Sequence, residues 1–333
     1  MRYLVTGSAG FIGYHLSRRL IADGHEVVGI DSLNAYYDVA LKEHRHAMLL
    51  ETGAFSAHIV DVADFAAMQA VFETAAPDVV IHLAAQAGVR HALEHPEDYV
   101  SANIVGSFNV IELSKRHGVS HLLMASTSSA YGANTKMPFQ ENDKADFPLT
   151  IYAASKKSSE LIAHCYAHLW NLPITMFRFF TVYGPWGRPD MALYKFVNAI
   201  LQGQPIDIYN HGDMERDFTF VDDLVEGIVR LAGAVPERGK PVADFDSLSP
   251  VAPWRLVNIG NGNPVRLLDF ISEIERCLGR PAIRNYLGMH PGDVQRTFAD
   301  ADLLEALTGY RPSTPVSKGV EAFVAWFRNY YRV

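Results

Sequence analysis

Tyr152 and Lys156 stand four residues apart in the stretch YAASK, a spacing that puts two side chains on one face of a helix. A free tyrosine titrates near ~10, too high to act as a base at neutral pH. A cation within about 4–6 Å lowers such a pKa by ~1–3 units, into the range where general base catalysis works, and Lys156 is one such cation. The pair alone is common by chance. Its weight comes from the run Ser126, Thr127, Ser128, Ser129 in ASTSSAYG, with Thr127 placed 25 residues before Tyr152. Hydroxyls at the end of an apolar run either cap a turn or hold a ligand. Ser126 is read as a cap and the other three as ligand groups. A hydrogen bond to an ionised carboxylate is worth ~1.5–3 kcal/mol, so such a run suits an acid group on a substrate.

A second constellation lies at the start of the chain. GSAGFIG places Gly7, Gly10 and Gly13 directly after an apolar strand, with Phe11 and Ile12 opening a helix. Backbone N–H groups and a helix N-terminus can then approach a pyrophosphate. Asp31 ends the next strand, 18 residues past Gly13, where a carboxylate accepts from ribose hydroxyls and repels a 2′-phosphate. The expected cofactor is NAD. Asp61 and Val62, ending the third strand, would meet its adenine edge. Leu83, Ala84 and Ala85, ending the fourth, would let it approach closely, and its nicotinamide would be a second cation near Tyr152.

These residues need a scaffold that brings strand ends together. Apolar runs at YLV, EVVGI, AHIVDV, DVVIHLAA, HLLMAS and PITMFRFF alternate with helical patterns, among them 64–75, 98–117 and 152–170. Such alternation predicts an α/β fold, a Rossmann-type doubly wound parallel sheet with both faces covered. The pattern becomes irregular after about 180, which predicts a smaller α/β C-terminal substrate domain. The expected boundaries are 1–178 for the dinucleotide-binding domain and 179–333 for the substrate domain, with elements near 217–260 returning to the first. Within the second part, helices are expected over 221–233, 267–278 and 316–331, and an exposed connector over 234–254.

Bulk properties remove other classes. Net charge is −8 with no basic run, so nucleic acid and anionic membranes find nothing to bind. No apolar stretch approaches ~18 residues, so no transmembrane span is expected. Two cysteines, Cys165 and Cys277, suggest no disulfide framework. With no leader-like N-terminus, the expectation is a cytoplasmic protein. Among the 14 histidines, none forms HExxH. His164 and His168 share a helix face but lack a flanking acid, and no metal is expected.

The motifs GSAGFIG, HLAAQAGVR, STSSAYG, YAASK, RFFTVYGPWGRPDM, RDFTFVDD and PGDV together resemble the extended short-chain dehydrogenase/reductases, and specifically the nucleotide-sugar epimerases. DSLNAYYDVALKEHR, YGANTKMPF and MHPGDVQRTFAD are similar to the members acting on UDP-glucuronate. The resemblance implies NAD-dependent 4-epimerisation of a UDP-sugar, UDP-glucuronate to UDP-galacturonate, through a transient 4-keto sugar. It assigns Tyr152 as base, Lys156 to the nicotinamide ribose and Thr127 to the sugar 4-OH. Ser128 and Ser129 would hold the uronate carboxylate, and Arg90, Thr181 and Arg188 would lie near the sugar. Arg216 would contact the diphosphate and Asp293 the uridine ribose. It also implies a homodimer through helices 98–117 and 152–170. Sister dehydratases and decarboxylases typically carry acids where this chain has Ser128 and Ser129. The alternatives are a UDP-hexose or UDP-N-acetylhexosamine 4-epimerase, or a UDP-glucuronate decarboxylase. Three departures stand out: His290 where Arg or Gln is expected, and Ser32 and Ala35 where Asn and Asp are.

Overall fold

The computed structural model describes residues 1–289 and 294–333. Asp293 and His290 therefore lie outside the described residues. The first half alternates as its hydropathy predicts: β1 (Arg2–Thr6), α1 (Phe11–Ala22), β2 (Glu26–Asp31), α2 (Val39–Leu50), β3 (Phe55–Ile59), α3 (Phe65–Ala75), β4 (Val79–His82). It continues through two short helices, α4 (His91–Glu94) and α5 (Pro96–Tyr99), to α6 (Ser107–Arg116), β5 (His121–Thr127), α7 (Ile151–Trp170) and β6 (Ile174–Phe179).

Successive strand residues point to opposite faces, and here both faces are dry. Tyr3, Val5, Val79, Ile81, Leu123 and Phe177 pack on one side with α1. Leu4, Val80, Leu122, Met124 and Met176 pack on the other with α3, α6 and α7. That is why these strands read as continuous apolar runs rather than alternating ones. Helix starts follow local chemistry. Asp64 caps α3 by accepting from the Ala67 N–H at 3.0 Å, and Thr150 caps α7 by accepting from the Ala153 N–H at 3.1 Å. A cap of this kind contributes about 1 kcal/mol and sets where the helix bearing Tyr152 begins.

The helix expected over 98–117 forms, running through α5 and α6 to Arg116, with a change of pitch inside it. Residues Val100–Gly106 form a π-helical segment before α6. Here the buried Asn103 carboxamide accepts from the Gln86 N–H (2.8 Å) and donates to the Gln86 carbonyl and to Ser155 Oγ (both 3.0 Å). One side chain there ties the strand-end loop to α7.

The second half contains β7 (Thr181–Tyr183), α8 (Ala192–Leu201), β8 (Pro205–Ile208), β9 (Glu215–Phe220), α9 (Val221–Gly233) and β10 (Trp254–Ile259). It ends with β11 (Pro264–Arg266), α10 (Leu267–Leu278), β12 (Ile283–Tyr286), β13 (Arg296–Thr297), α11 (Asp302–Thr308) and α12 (Val316–Tyr331). Helix α8 lies in a stretch whose periodicity the loop-like GPWGRPDM had masked.

The main sheet has seven parallel strands in the order β10-β6-β5-β4-β1-β2-β3. Strand β10 adds to it after the chain has left and returned, and α9 packs against the α1 side. The other strands form a small sheet around β9 and a pair, β12 with β8, over a separate core containing Phe196, Phe218, Phe270 and Phe323. Strand order reverses between β1 and β4. Such a switch point opens a crevice at the carboxyl ends of the strands, where doubly wound sheets bind ligands.

Candidate active site

A cleft of about 920 Å³ occupies that crevice, at the upper end of the ~300–1,000 Å³ typical of small-molecule sites. Its wall includes Gly7, Gly10, Phe11, Ile12, Gly13, Asp31, Asp61, Val62, Leu83, Ala84, Ala85, Thr127, Tyr152, Lys156 and Arg188. The turn after β1 is tight because three side chains are missing. A Cβ on Gly13 would fall 2.0 Å from the Gly7 carbonyl oxygen, and one on Gly7 would fall 2.8 Å from the Ala84 nitrogen. Gly7 also has φ 72°, the left-handed region that glycine enters without penalty. Asp31 braces this turn, its Oδ2 accepting from the Ala9 N–H at 3.0 Å and its Oδ1 from the Leu33 N–H at 2.9 Å. Each carboxylate oxygen keeps acceptor capacity toward the cleft.

The fourth strand end is held by a buried relay. Thr6 Oγ1 accepts from the Leu83 and Ala84 N–H groups at 3.2 and 3.1 Å and bonds His82 Nδ1 at 2.7 Å. His82 Nε2 reaches Ser107 Oγ at 3.0 Å. Burial, with the charge of Lys156 adding to it, pushes the His82 pKa down to about 3. The ring is neutral at any working pH.

Helix α7 presents Tyr152 and Lys156 to the cleft, as the four-residue spacing required. Lys156 is buried, and burial lowers its pKa to about 8 against the opposing charge of Glu160. For Tyr152 the outcome differs from the sequence expectation of a depressed pKa. Burial dominates and raises it, while a hydrogen bond from Thr127 and the charge of Arg188 pull it back. The cation that lowers it within the polypeptide is Arg188, which also lines the cleft. Thr127 lines the cleft with Tyr152. Its oxygen accepts from the Ser129 N–H at 3.1 Å, which leaves its proton for Tyr152.

The reading of Ser126 as the cap is corrected. Thr127 caps the 3₁₀ turn 128–131, while Ser126 points into the sheet face and donates to Glu160 at 2.6 Å. Ser128 and Ser129 open that turn, half-buried, but neither is on the cleft wall. Thr181 lies in a side pocket that shares Arg188 and Met191 with the cleft. Arg90 is exposed with its guanidinium 4.2 Å from the centre of the Tyr209 ring. Arg216 donates to the Glu215 and Gln295 carbonyls at 2.9 and 3.0 Å. The next residue of β9, buried Asp217, accepts from the N–H groups of Asn261, Gly262 and Ala299 at 2.8–3.0 Å.

Sequence reasoning missed part of the wall. Lys42 lines the cleft and donates to the Asn34 carbonyl at 2.6 Å and side chain at 2.7 Å. Arg45, fully buried, bonds the Ala9 carbonyl at 2.8 Å and the Tyr37 hydroxyl at 2.9 Å. The available signal was two cations at core spacing with Leu41 and Leu49 on α2, since buried cations must be paired. Asp190 holds Arg188 through both its oxygens and accepts from the Tyr36 hydroxyl at 3.2 Å. His164 and His168 bond Ser249 at 2.8 Å and the Val251 carbonyl at 3.0 Å, so they tie α7 to the 234–254 connector.

The chain is similar to known proteins over its whole length. A "Probable UDP-glucuronate 4-epimerase" of Rhizobium meliloti (strain 1021) is 58% identical over 100% of this chain and 98% of its own length. The crystal structure of UDP-glucuronic acid 4-epimerase from Bacillus cereus, in complex with UDP-glucuronic acid and NAD, superposes with a TM-score of 0.88 at 32% identity, covering 99% of this chain and 100% of its own. UDP-glucose 4-epimerase from Thermotoga maritima, with UDP-glucose, gives a TM-score of 0.84 at 27% identity over 99% of this chain and 100% of its own. The pattern of the "NAD dependent epimerase/dehydratase family" matches residues 3–243. The glycine cradle, the Thr127–Tyr152–Lys156 group and these likenesses agree: the chain belongs to the NAD-dependent epimerase/dehydratase family.

Proposed function

We propose that the protein is an NAD-dependent 4-epimerase that interconverts UDP-glucuronate and UDP-galacturonate. The observation that carries this reading is the residue pair following Thr127. Thr127 donates to Tyr152, and the next two residues are serines rather than acids, so the proton donor that a dehydratase or decarboxylase would use there is missing. The R. meliloti and B. cereus relatives support the same substrate.

The residues present fit the cofactor. Glycines admit a pyrophosphate where any Cβ would clash with backbone, and Asp31 offers acceptors to a ribose. Bound NAD supplies the hydride acceptor and donor at C4 of the sugar. Lys156 holds its nicotinamide ribose. Tyr152 removes the proton of the sugar 4-OH and returns it after the sugar has turned. Thr127 orients that hydroxyl, and its bond to Tyr152 stabilises the phenolate more than the phenol. Arg188, also on the cleft wall, adds charge of the same sense. Arg216 clamps the diphosphate, and Arg90 and Thr181 border the sugar; Asp293, outside the described residues, is assigned to the uridine ribose by the resemblance alone.

A uronate oxidised at C4 is a β-keto acid, prone to lose carbon dioxide when its carboxylate is desolvated. The hydroxyls of Ser128 and Ser129 solvate that group and hold its C–C bond out of line with the ketone, which opposes decarboxylation. Rotatable hydroxyls also follow a sugar that must present two faces. The finer placement is a cytoplasmic homodimer. Leu161, Leu169 and Trp170 on α7, Phe108 on α6 and Val105 in the π-helical segment before it are 40–64% exposed, an apolar surface suited to pairing these helices across a two-fold.

One observation favours a second reading, a UDP-hexose or UDP-N-acetylhexosamine 4-epimerase: Ser128 and Ser129 stand off the cleft wall. Proton NMR of UDP-glucuronate with the enzyme, without added cofactor, separates these. Galacturonate signals support the main reading. Pentose signals identify a decarboxylase, and no change leaves a hexose substrate. Tyr152→Phe is expected to abolish turnover while NAD stays bound, and loss of NAD with it would make Tyr152 structural.

A further inference from the structure

Glu160 follows Tyr152 and Lys156 by further helical turns on the same face of α7, and it is buried at 1% exposure. Its Oε1 accepts from Ser126 Oγ at 2.6 Å and from Arg178 Nε at 2.9 Å. Its Oε2 accepts from Arg178 Nη2 at 2.8 Å and from Lys157 Nζ at 3.0 Å. Arg178, also 1% exposed, is the register partner of Ser126 on the neighbouring strand β6. Its guanidinium lies 4.3 Å from the centre of the Tyr131 ring. The Tyr131 hydroxyl donates at 2.8 Å to Asn258 Oδ1, and Asn258 is the register partner of Arg178 on β10. One ion pair thus holds Ser126 and Tyr131, the two residues that bracket the segment Thr127–Ala130.

A buried ion pair loses so much solvation that well-packed apolar residues of similar volume are often as stable, so stability alone is a weak reason for it to be here. What the pair does supply is direction. Four donors around one carboxylate leave a single orientation for the strand end that turns into the hydroxyl run. Burial works against the charge of Glu160, but the Arg178 guanidinium, helped by Lys157 and Ser126, holds its carboxyl below the usual range. The bracket therefore stays ionised.

We propose that Glu160 is a positioning residue of the active site, fixing with Arg178 both ends of the 126–131 segment and so the direction in which Thr127 presents its hydroxyl to Tyr152 and the substrate. This rests on the assignment of Thr127 as the partner of Tyr152 made above.

The test is a double-mutant cycle on the NAD-loaded enzyme, with turnover of UDP-glucuronate followed by NMR. Glu160→Gln keeps the shape but turns an N–H toward donors already present, and kcat is expected to fall about tenfold. Thr127→Val should cost at least as much. The double variant should be no slower than Thr127→Val alone, since misdirecting a hydroxyl already removed costs nothing; non-additivity of this kind marks residues acting through one another. Multiplying losses in the double variant overturn the proposal, because a merely structural role lowers both backgrounds alike. Full turnover by Thr127→Val overturns the Thr127 assignment, and this inference with it, and is told apart by the single variant. Ser126→Ala, which leaves the ion pair intact, covers the case of a Gln variant that fails to fold. A loss of about threefold is expected, absent in the Thr127→Val background, and unchanged turnover overturns the proposal.

Discussion

Replacing Gly13 with alanine perturbs the cofactor cradle at its tightest point. The added Cβ falls 2.0 Å from the Gly7 carbonyl oxygen and 3.0 Å from Ser8 Cα, whereas non-bonded atoms settle at about 3.5–4.0 Å. Neither neighbour is a side chain free to swing away. Gly7 is pinned by its left-handed φ of 72° and by its N–H, which donates to the Ile30 carbonyl at 2.7 Å. The methyl is accommodated only if α1 moves off β1 by roughly 1–1.5 Å, which splays the N–H groups meant for the pyrophosphate. Overpacking a core of movable side chains costs ~1–3 kcal/mol, and against fixed backbone the upper figure applies. In a binding equilibrium ~3 kcal/mol is ~150-fold. The variant is expected to purify without NAD and to bind it about 100-fold or more weakly. The assay is the absorbance of cofactor released on denaturation, with calorimetric titration of the stripped protein. Gly233→Ala is the control: nothing lies within 4 Å of its Cβ at the exposed end of α9, so it should gain ~0.5–1 kcal/mol of stability and keep its NAD. If Gly13→Ala holds NAD at wild-type affinity, the cradle is not where the pyrophosphate binds.

Three further predictions follow from the same structure. Ser128→Ala and Ser129→Ala should each lower kcat/KM for UDP-glucuronate by about tenfold or more, from ~1.5–3 kcal/mol per carboxylate hydrogen bond, while sparing UDP-glucose; an equal loss on both sugars in a competition assay would remove the uronate assignment. His82, neutral when folded with its pKa lowered to about 3, contributes stability present above the unfolded value of ~6.5 and lost as pH falls toward 3, up to ~5 kcal/mol in all. His82→Gln should therefore show a smaller drop in urea stability between pH 7 and pH 4.5 than the wild type, by ~3 kcal/mol, and parallel curves would contradict it. Leu161→Glu with Leu169→Glu places charge on the exposed apolar face of α7 and should give a monomer by light scattering, with folding intact by circular dichroism.

Much of the site was legible because its grammar is local. Three glycines after an apolar strand, an acid ending the next strand and a Tyr–Lys pair at helical spacing each act within one element or turn, so spacing alone exposes them. The parallel sheet was legible for a related reason. Strands buried on both faces must be apolar throughout, and the intervening helices must carry amphipathic stripes. Where the reading failed, the missing information was a contact between elements. Ser126 looks like a turn cap until β5 is laid against α7 and Glu160 appears beneath it. Tyr152 looks destined for a low pKa until burial of the phenol is weighed against Thr127 and Arg188. The helix over 98–117 forms as read, but its periodicity does not show the π-helical segment from which Asn103 reaches Gln86 and Ser155.

By itself, then, the amino-acid order determined the class of fold, the glycine turn after β1 and the placing of Tyr152 and Lys156 on one helix face, since periodicity and short-range spacing act within a few residues. Only the tertiary structure decided which charges meet. The Glu160–Arg178 pair, the Tyr36 bond to Asp190 and the Arg45 bond to the Ala9 carbonyl join segments whose approach depends on strand order and helix packing. At those distances a change of partner alters desolvation and Coulomb energy together, and no one-dimensional pattern records either.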